Sequence, residues 1–421
     1  CMGRCAQAPV AEVGHNHIGN ATPGSVRAAV EDGRHAVTEI AAPRFADYRD
    51  AGGLTALLGI REGVATGPQA IAAIEASGLK GLGGAGFPAG HKWRLVADQP
   101  APRYLVVNAD EGEPGTFKDR HIFERHPYRF LEGMYAAAFA VGAGEIYIYL
   151  RDEYRDLRRL IEKADAALRN EIRALPALHI RRGAGAYVCG EESAMLESLE
   201  GRRGLPRHRP PYAAQVGLFG RPTLIHNVET LFFAGEILAR GPEWYAGQGR
   251  NGRSGMRHYS VSGRIADPGV KLAPAGITAN ELIAEYCGGM AAGHVFAAFL
   301  PGGASGGILP ARLGDIPLDY GTLEDFGCFL GSAGIIVLSE SDDVRDAALN
   351  AMEFFADESC GQCTPCRVGT EKAARLMAAG NWDAALLDDL CTVMADASIC
   401  GLGHAAPNPV RSVFRYFGEG G

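Results

Sequence analysis

The sequence predicts an α/β domain, then a small α+β domain, then a C-terminal helical region. Three observations carry this. Between 68 and 169 short apolar runs alternate with amphipathic stretches at the spacing of helix–strand–helix layering. At 244–256 the composition shifts to "WYAGQGRNGRSGM", a boundary signal. From 342 the pattern becomes helical to about 397, with a turn at Gly380.

The elements follow in order. Residues 21–60 read as a poorly packed lead-in with one short helix. "PQAIAAIEAS", 68–77, predicts a helix with Ile71 and Ile74 on one face, stopped by Gly78. Residues 104–107 predict a buried strand that runs into the polar loop "NADEGEPGTF". "RFLEGMYAAAFAVGAG" reads as a helix, "EIYIYL" as a strand, and 152–169 as a charged helix. In "GAYVCGEESAMLESLEG", 185–201, a short strand precedes Cys189 and a helix follows. "LIHNVET", 224–230, places Asn227 at a helix start, free to cap it or to bond a ligand. "RHYSVSGRI" and "GVKLAPA" predict a hairpin, Thr278 opens a helix, and strands continue to about 338. No internal repeat or low-complexity tract is visible.

Composition narrows the function. The 421 residues carry 41 basic and 49 acidic side chains, net −8, with no basic block, which argues against a nucleic-acid partner. The longest apolar candidates, 134–144 and 326–338, are short and broken by glycine, so no membrane span is expected. Ten cysteines in a chain this long, clustered and without a signal-peptide pattern, predict metal ligation in a reducing compartment, the cytoplasm. The opening "CMGRC" sets Cys1 ahead of Met2, and the expectation is that an N-terminal portion is missing.

Cys360, Cys363 and Cys366 form C-x2-C-x2-C, the close triplet of iron–sulfur ferredoxins rather than the separated pairs of structural zinc. The ferredoxin fourth cysteine is absent, because position 370 is threonine. Cys391 falls on an apolar helical stripe with Leu387, Leu390 and Met394 and reads as a small buried hydrophobe. Cys400 stands where that helix runs out, in "SICGLGHAAPNP", beside a glycine that lets the backbone approach a cluster and prolines that keep the loop extended. Cys400 is the preferred fourth ligand.

"GLGGAG", 81–86, satisfies G-x-G-x-x-G, but a helix precedes it and Phe87-Pro88 follows, so it is not an ordinary dinucleotide turn. Lys92 adds a nearby positive charge. Asp110, Glu111 and Glu113 follow a strand directly, where ligands gather in open α/β sheets, and suit ribose hydroxyls or flavin edges better than phosphates. The helix start after Cys189 could serve a phosphate if Glu191 and Glu192 turn elsewhere.

In this order, "SGLKGLGGAGFPAGHKW", "NADEGEPGTFKDR", "YVCGEESAMLESLEG", "LIHNVETL", "ESCGQCTPCRVGT" and "SICGLG" resemble the flavin-bearing subunit of respiratory NADH dehydrogenase, complex I. Diaphorase subunits of NAD-reducing hydrogenases and NAD-dependent formate dehydrogenases are its relatives. The resemblance implies FMN, NAD(H) and a [4Fe–4S] cluster. It also implies a Rossmann-like FMN and NAD(H) domain over 45–250, a ubiquitin-like domain over 255–338 and a cluster-binding helical bundle over 342–421. Matched motif by motif, Gly81, Gly83, Gly84, Lys92, Asn108, Asp110 and Glu111 belong to the FMN cradle, joined by Tyr187, Gly190, Glu191, Asn227 and Thr230. Phe87, Glu113, Glu192, Arg209 and Tyr212 fall where the family contacts the nicotinamide nucleotide, and Cys360, Cys363, Cys366 and Cys400 match the cluster ligands. No side chain is assigned as a catalytic acid or base. Two departures stand out: Leu82 replaces a usual arginine, and "RPPY" at 209–212 replaces "KPPF".

"CMGRCAQAP" resembles the end of a thioredoxin-like [2Fe–2S] domain, but Cys1 and Cys5 are only two of its four ligands, so residues 1–20 are read as a remnant without that cluster. With "GLGHAAPNP" after Cys400, this points to the beta (diaphorase) subunit of a cytoplasmic NAD-dependent formate dehydrogenase. Its implied partners are a thioredoxin-like [2Fe–2S] gamma subunit and a large molybdenum- or tungsten-containing alpha subunit. The alternatives are a hydrogenase diaphorase, the respiratory subunit, or a flavin-free relay or scaffold.

Overall fold

The computed structural model describes residues 2–418; Cys1, half of the expected N-terminal pair, lies outside them. A short hairpin, β1 (Ala11–Val13) and β2 (Asn16–Ile18), precedes the main sheet. That sheet holds β3 (Arg103–Ala109), β4 (Ala143–Leu150), β5 (Ala177–Arg182) and β6 (Thr223–Asn227), all parallel, in the order β5-β4-β3-β6. The chain steps outward from β3 through β4 to β5, then returns to lay β6 on the other side of β3. The carboxyl ends of β3 and β6 therefore form a switch point, where crevices open in parallel sheets. The register sets Asn108 opposite Asn227 there.

β3 is buried across Leu105, Val106 and Val107, the continuous apolar run required of a strand covered on both faces. Helix Pro127–Val141 packs against helix Val228–Arg240 so closely that a Cβ on Gly133 would overlap the Leu231 carbonyl oxygen. Only glycine fits at that crossing.

The lead-in is more helical than expected, though only Ala29, Leu54, Ala56 and Leu57 of it are buried. It forms helices Pro23–Glu31, Phe45–Asp50 and Thr55–Arg61, with Leu54 and Leu57 buried in the main core. The buried Glu132 carboxylate accepts from the Leu54, Ala56 and Leu57 amides at 3.0, 2.7 and 3.2 Å, satisfying the start of the third helix. The anchor is remote in sequence, so the local pattern did not reveal it. The strand expected before Cys189 is instead a 3-10 turn, Tyr187–Gly190. Its amides close locally, Cys189 onto Ala186 and Glu191 onto Val188, rather than joining the sheet.

The second sheet runs β10-β9-β11-β7-β8, with β7 (Met256–Gly263), β8 (Gly269–Pro274), β9 (Phe296–Ala304), β10 (Leu309–Pro310) and β11 (Gly334–Ser339). The expected hairpin is β7–β8, and β11 pairs parallel to β7. Thr278 opens its helix through a capping box with Glu281. Helices Val344–Asp357, Thr364–Ala378 and Ala384–Ala397 follow. "GLGHAAPNP" is not extended: it forms helix Gly401–Ala405 and begins helix Asn408–Tyr416, whose proline sits in the first turn where its missing N–H costs nothing. Among the described residues no helix is long and apolar enough to cross a membrane.

Candidate functional site: two cavities with one shared wall

A cavity of about 440 Å³ opens at the β3–β6 switch point, within the size range of small-molecule and cofactor sites. The glycine loop forms one wall. It is closed on itself by Gly81 N–H to the Phe87 carbonyl at 2.8 Å and Gly86 N–H to the Gly81 carbonyl at 3.2 Å. A Cβ on Gly83 would meet Asn227 Cβ at 2.9 Å, whereas one on Gly84 would find no protein atom nearer than 4.0 Å. Gly84 thus presents bare backbone to the cavity. Lys92, on helix Ala89–Ala97, donates to Glu192 at 3.1 Å and to the Ile225 carbonyl at 3.2 Å.

The opposite wall is the acidic loop. Asn108 Nδ2 donates to the Gly190 carbonyl at 2.8 Å and its Oδ1 accepts from the Asp110 amide at 3.1 Å, tying the loop to the turn after Tyr187. Asp110 Oδ2 is buried with no hydrogen-bond partner, and burial pushes its carboxyl up to about 7. Glu111 is engaged differently from its neighbour. Its carboxylate accepts from the Asp119 amide at 2.8 Å, the Arg120 amide at 3.2 Å and Tyr154 Oη at 2.8 Å, capping helix Lys118–Arg125. Glu113 accepts from Tyr187 Oη at 2.6 Å and from the Ser305 amide at 2.9 Å, and burial raises its carboxyl.

Glu191 settles the helix-start question. Its carboxylate accepts from the Ser193 and Ala194 amides at 2.9 Å each, and it also pairs with Arg209. The start of helix Glu192–Leu199 is filled by protein and is no phosphate seat. Asn227 both caps helix Val228–Arg240, accepting from the Glu229 amide at 3.0 Å, and lines the cavity.

Of the predicted residues, Gly81, Gly83, Gly84, Phe87, Lys92 and Asn108 line this cavity. So do Asp110, Glu111, Glu113, Tyr187, Gly190 and Glu191. Glu192, Arg209 and Asn227 complete the set. Two stand apart. Thr230 is buried and accepts from the Leu82 amide at 2.9 Å, so it holds the glycine loop from behind. Tyr212 is an exposed side chain off the cavity wall. Sequence reasoning missed Lys118 and Asp119, although both lie in the stretch "GTFKDR" within a quoted motif, and it missed Ser305 and Phe329, contributed by the second sheet's loops.

A second, small cavity is bordered by Cys360, Cys363, Cys366 and Cys400, with Ser359 and Leu402. Cys391 is fully buried among the helices and does not reach it. Among the described residues no three His, Cys, Asp or Glu side chains converge on a single-ion site. Four thiols spread around a cavity suit a multi-iron cluster, where each corner iron takes one cysteine. Cys400 and Leu402 line both cavities, so one short segment separates them. Tyr187 spans the same divide: its amide donates to Glu358 at 2.9 Å, beside the cysteine loop, while its hydroxyl reaches Glu113.

The residues fit a flavin and a cluster. The larger cavity offers bare glycine backbone, an unpartnered buried carboxyl and side-chain amides; the smaller offers four thiols and little else.

Comparison with known proteins agrees. Residues 74–234 match the family described as Nuo51 FMN-binding domain, and 346–420 match the NADH-ubiquinone oxidoreductase-F iron-sulfur binding region. The F 2 subunit of the NADH-quinone oxidoreductase of Rhizobium meliloti (strain 1021) is 42% identical over 84% of this chain and 87% of its own length. The F subunit of the same enzyme in Aquifex aeolicus (strain VF5) is 41% identical over 82% and 83% respectively. A chain of an NAD+-reducing [NiFe]-hydrogenase in the H2-reduced state superposes with a TM-score of 0.88 at 35% identity, covering 100% of this chain and 75% of that one. The chain belongs to the family of NADH-quinone oxidoreductase F subunits, the 51 kDa-type flavin subunits, and combines an FMN-binding domain with a 4Fe–4S-binding region.

Proposed function

We propose that this chain is the NAD(H)-handling diaphorase subunit of a multisubunit, cytoplasmic oxidoreductase, with FMN in the larger cavity and a [4Fe–4S] cluster on Cys360, Cys363, Cys366 and Cys400. The observation that carries this is the shared wall: the segment at Cys400 borders both cavities. FMN, when bound, supplies the exchange between paired electrons from NAD(H) and single electrons for the cluster.

The chain's own residues bind and orient. Asn108 and Asn227, fixed across the switch point, offer polar contacts to the flavin, and Asp110 has a carboxyl oxygen left unpaired for it. The Lys92–Glu192 and Arg209–Glu191 pairs each join a residue expected in the FMN cradle to one expected at the nucleotide, and can exchange partners when a charged nucleotide enters. Phe87, 43% exposed on the cavity wall, provides an aromatic face for a base or nicotinamide. Tyr187 and Ser305 hold Glu113 in the cavity wall.

For the partner, the likeness to the hydrogenase chain extends over the whole of this chain, including the N-terminal segment. That supports a hydrogenase or quinone-reductase partner better than the formate-oxidising one expected from the sequence. One experiment separates these. The complex is purified anaerobically and assayed for FMN, iron, sulfide and partner metals. FMN bleached by NADH, about four irons in this chain and copurifying nickel support the hydrogenase form; molybdenum or tungsten would restore the formate reading. Absence of both flavin and NADH bleaching would reduce the chain to a relay or scaffold.

A further inference from the structure

Beneath the larger cavity lies a buried cation that neither the sequence motifs nor the proposed contacts use. The Lys118 side chain is only 1% exposed, and its Nζ sits 2.8 Å from Asp119 Oδ1, 3.0 Å from Asn227 Oδ1 and 3.1 Å from Glu229 Oε2. Lys118, Asp119 and Asn227 line the cavity; Glu229 lies one layer deeper. Glu229 in turn accepts from the His258 amide at 2.6 Å and from His258 Nδ1 at 3.0 Å, so β7 of the second sheet fixes it. Burial alone would strip the proton from Lys118, but Asp119 and Glu229 hold it above its ordinary value. Burial likewise opposes ionised Glu229, yet Lys118 and His258 bring it to about 2. One fixed cation therefore faces two carboxylates under the cavity floor. Burying such a group gains little stability over well-packed apolar side chains, so its position asks for another role.

We propose that Lys118 and Glu229 form an electrostatic floor that sets the relative affinity of the site for reduced and oxidised flavin, with His258 as the positioning residue that holds Glu229. The inference rests on the flavin reading above. A flavin ring that takes up two electrons and one proton from a reductant becomes an anion, one negative charge richer than the oxidised ring. Charges that are themselves buried in and behind the cavity wall, as Lys118, Asp119 and Glu229 are, act on that difference. Removing the Glu229 charge leaves Lys118 less neutralised and favours the reduced ring. Removing the Lys118 charge leaves Asp119 in the wall and Glu229 behind it unneutralised and disfavours it. Removing both restores the original net charge.

The test uses the purified complex. The affinity for oxidised FMN is read by quenching of flavin fluorescence, and the midpoint potential of bound FMN by anaerobic reductive titration. Glu229→Gln, which keeps an acceptor for His258, is expected to raise the reduced-to-oxidised affinity ratio by on the order of tenfold, about 30 mV upward for a two-electron couple. Lys118→Met is expected to lower it by a similar factor, and the double variant to return close to the parent. Asp119→Asn, on the cavity wall itself, should move the ratio the same way as Glu229→Gln and serves if either other variant fails to fold. Single variants that bind FMN and shift the ratio in the same direction, or not at all, overturn the floor. If the unsubstituted complex binds no FMN, the flavin reading falls, and this inference with it.

Discussion

The two cavities share a wall but are built on opposite principles. The smaller draws its candidate ligands from one residue type, three of its four thiols supplied by a single seven-residue stretch, Cys360 to Cys366. The larger draws on a glycine loop, the ends of two strands, two helix starts and loops of a second sheet. A site whose ligands form covalent bonds to metal is recorded in residue type and spacing. A site that cradles an organic cofactor is recorded in how buried polar groups are satisfied, and that is a property of the fold.

The largest expected effect breaks the smaller cavity. Cys400→Ala removes the proposed fourth ligand, and the prediction is loss of the cluster absorbance and of most protein-bound iron. Cys391→Ala is the control, because that sulfur is fully buried away from the cavity. It should keep the cluster and cost about 1 kcal/mol of stability by denaturant melt. If Cys391→Ala lost the iron and Cys400→Ala kept it, the ligand assignment would be reversed.

The next effect sharpens the larger cavity through pH. Burial lifts the Asp110 carboxyl to about 7 in the folded cofactor-free chain, against about 3.9 for an unfolded aspartate. The folded state then holds the proton that the unfolded state has released, so stability falls as pH rises from about 4 to about 7. Asp110→Asn removes that penalty. Without cofactor, the variant should equal the parent near pH 4 and exceed it by roughly 2–4 kcal/mol at pH 8. FMN affinity should fall at the same time, since the unpaired carboxyl oxygen is gone. A parent whose stability is flat over this interval would contradict the burial of an unpartnered acid.

A smaller effect probes the wall between the cavities. A Cβ on Gly401 would meet no protein atom within 4 Å, although Gly401 lines the larger cavity. Gly401→Ala should therefore leave the melting of the cofactor-free chain within about 0.5 kcal/mol of the parent. It should weaken FMN binding severalfold, since the added methyl takes space meant for ligand. Unchanged FMN affinity would place the flavin elsewhere in the cavity.

How far these regions could be read in advance follows from the same contrast. The choice of Cys400 over Cys391 rested on helical periodicity and on the glycine and prolines beside Cys400, and the structure separates the two sulfurs as the period requires. Two strands of the parallel sheet, β3 and β4, were legible as apolar runs, whereas β5, Ala177–Arg182, is charged and half-exposed and carries no such signal. The anchoring of helix Thr55–Arg61 was not legible, because its partner, Glu132, arrives from a helix far along the chain. Lys118 escaped notice for a related reason: its importance lies in Glu229 and His258, which no local pattern connects to it. Thr230 was placed in the right motif but on the wrong side of the loop, a distinction of side-chain direction that residue type cannot give.

The smallest predicted effect separates family likeness from local geometry. Phe87 and Tyr212 are both exposed aromatics, at 43% and 55%, and the family resemblance leads one to expect both at the nucleotide. Only Phe87 lies on the cavity wall. An isolated exposed aromatic contributes little to folding, so neither truncation should move stability by more than about 0.5 kcal/mol. Their effects on NADH should differ. Phe87→Ala removes a ring from the cavity mouth and should raise the KM for NADH by roughly tenfold, the scale of one lost aromatic contact. Tyr212→Ala should change it by less than about twofold if the 209–216 loop stays where it is. An equal loss in both would mean that the loop carrying Tyr212 folds inward when nucleotide binds, bringing Arg209 with it and breaking the Arg209–Glu191 pair. That pair then becomes the latch to examine, since its carboxylate also caps helix Glu192–Leu199 and would remain satisfied after the arginine leaves.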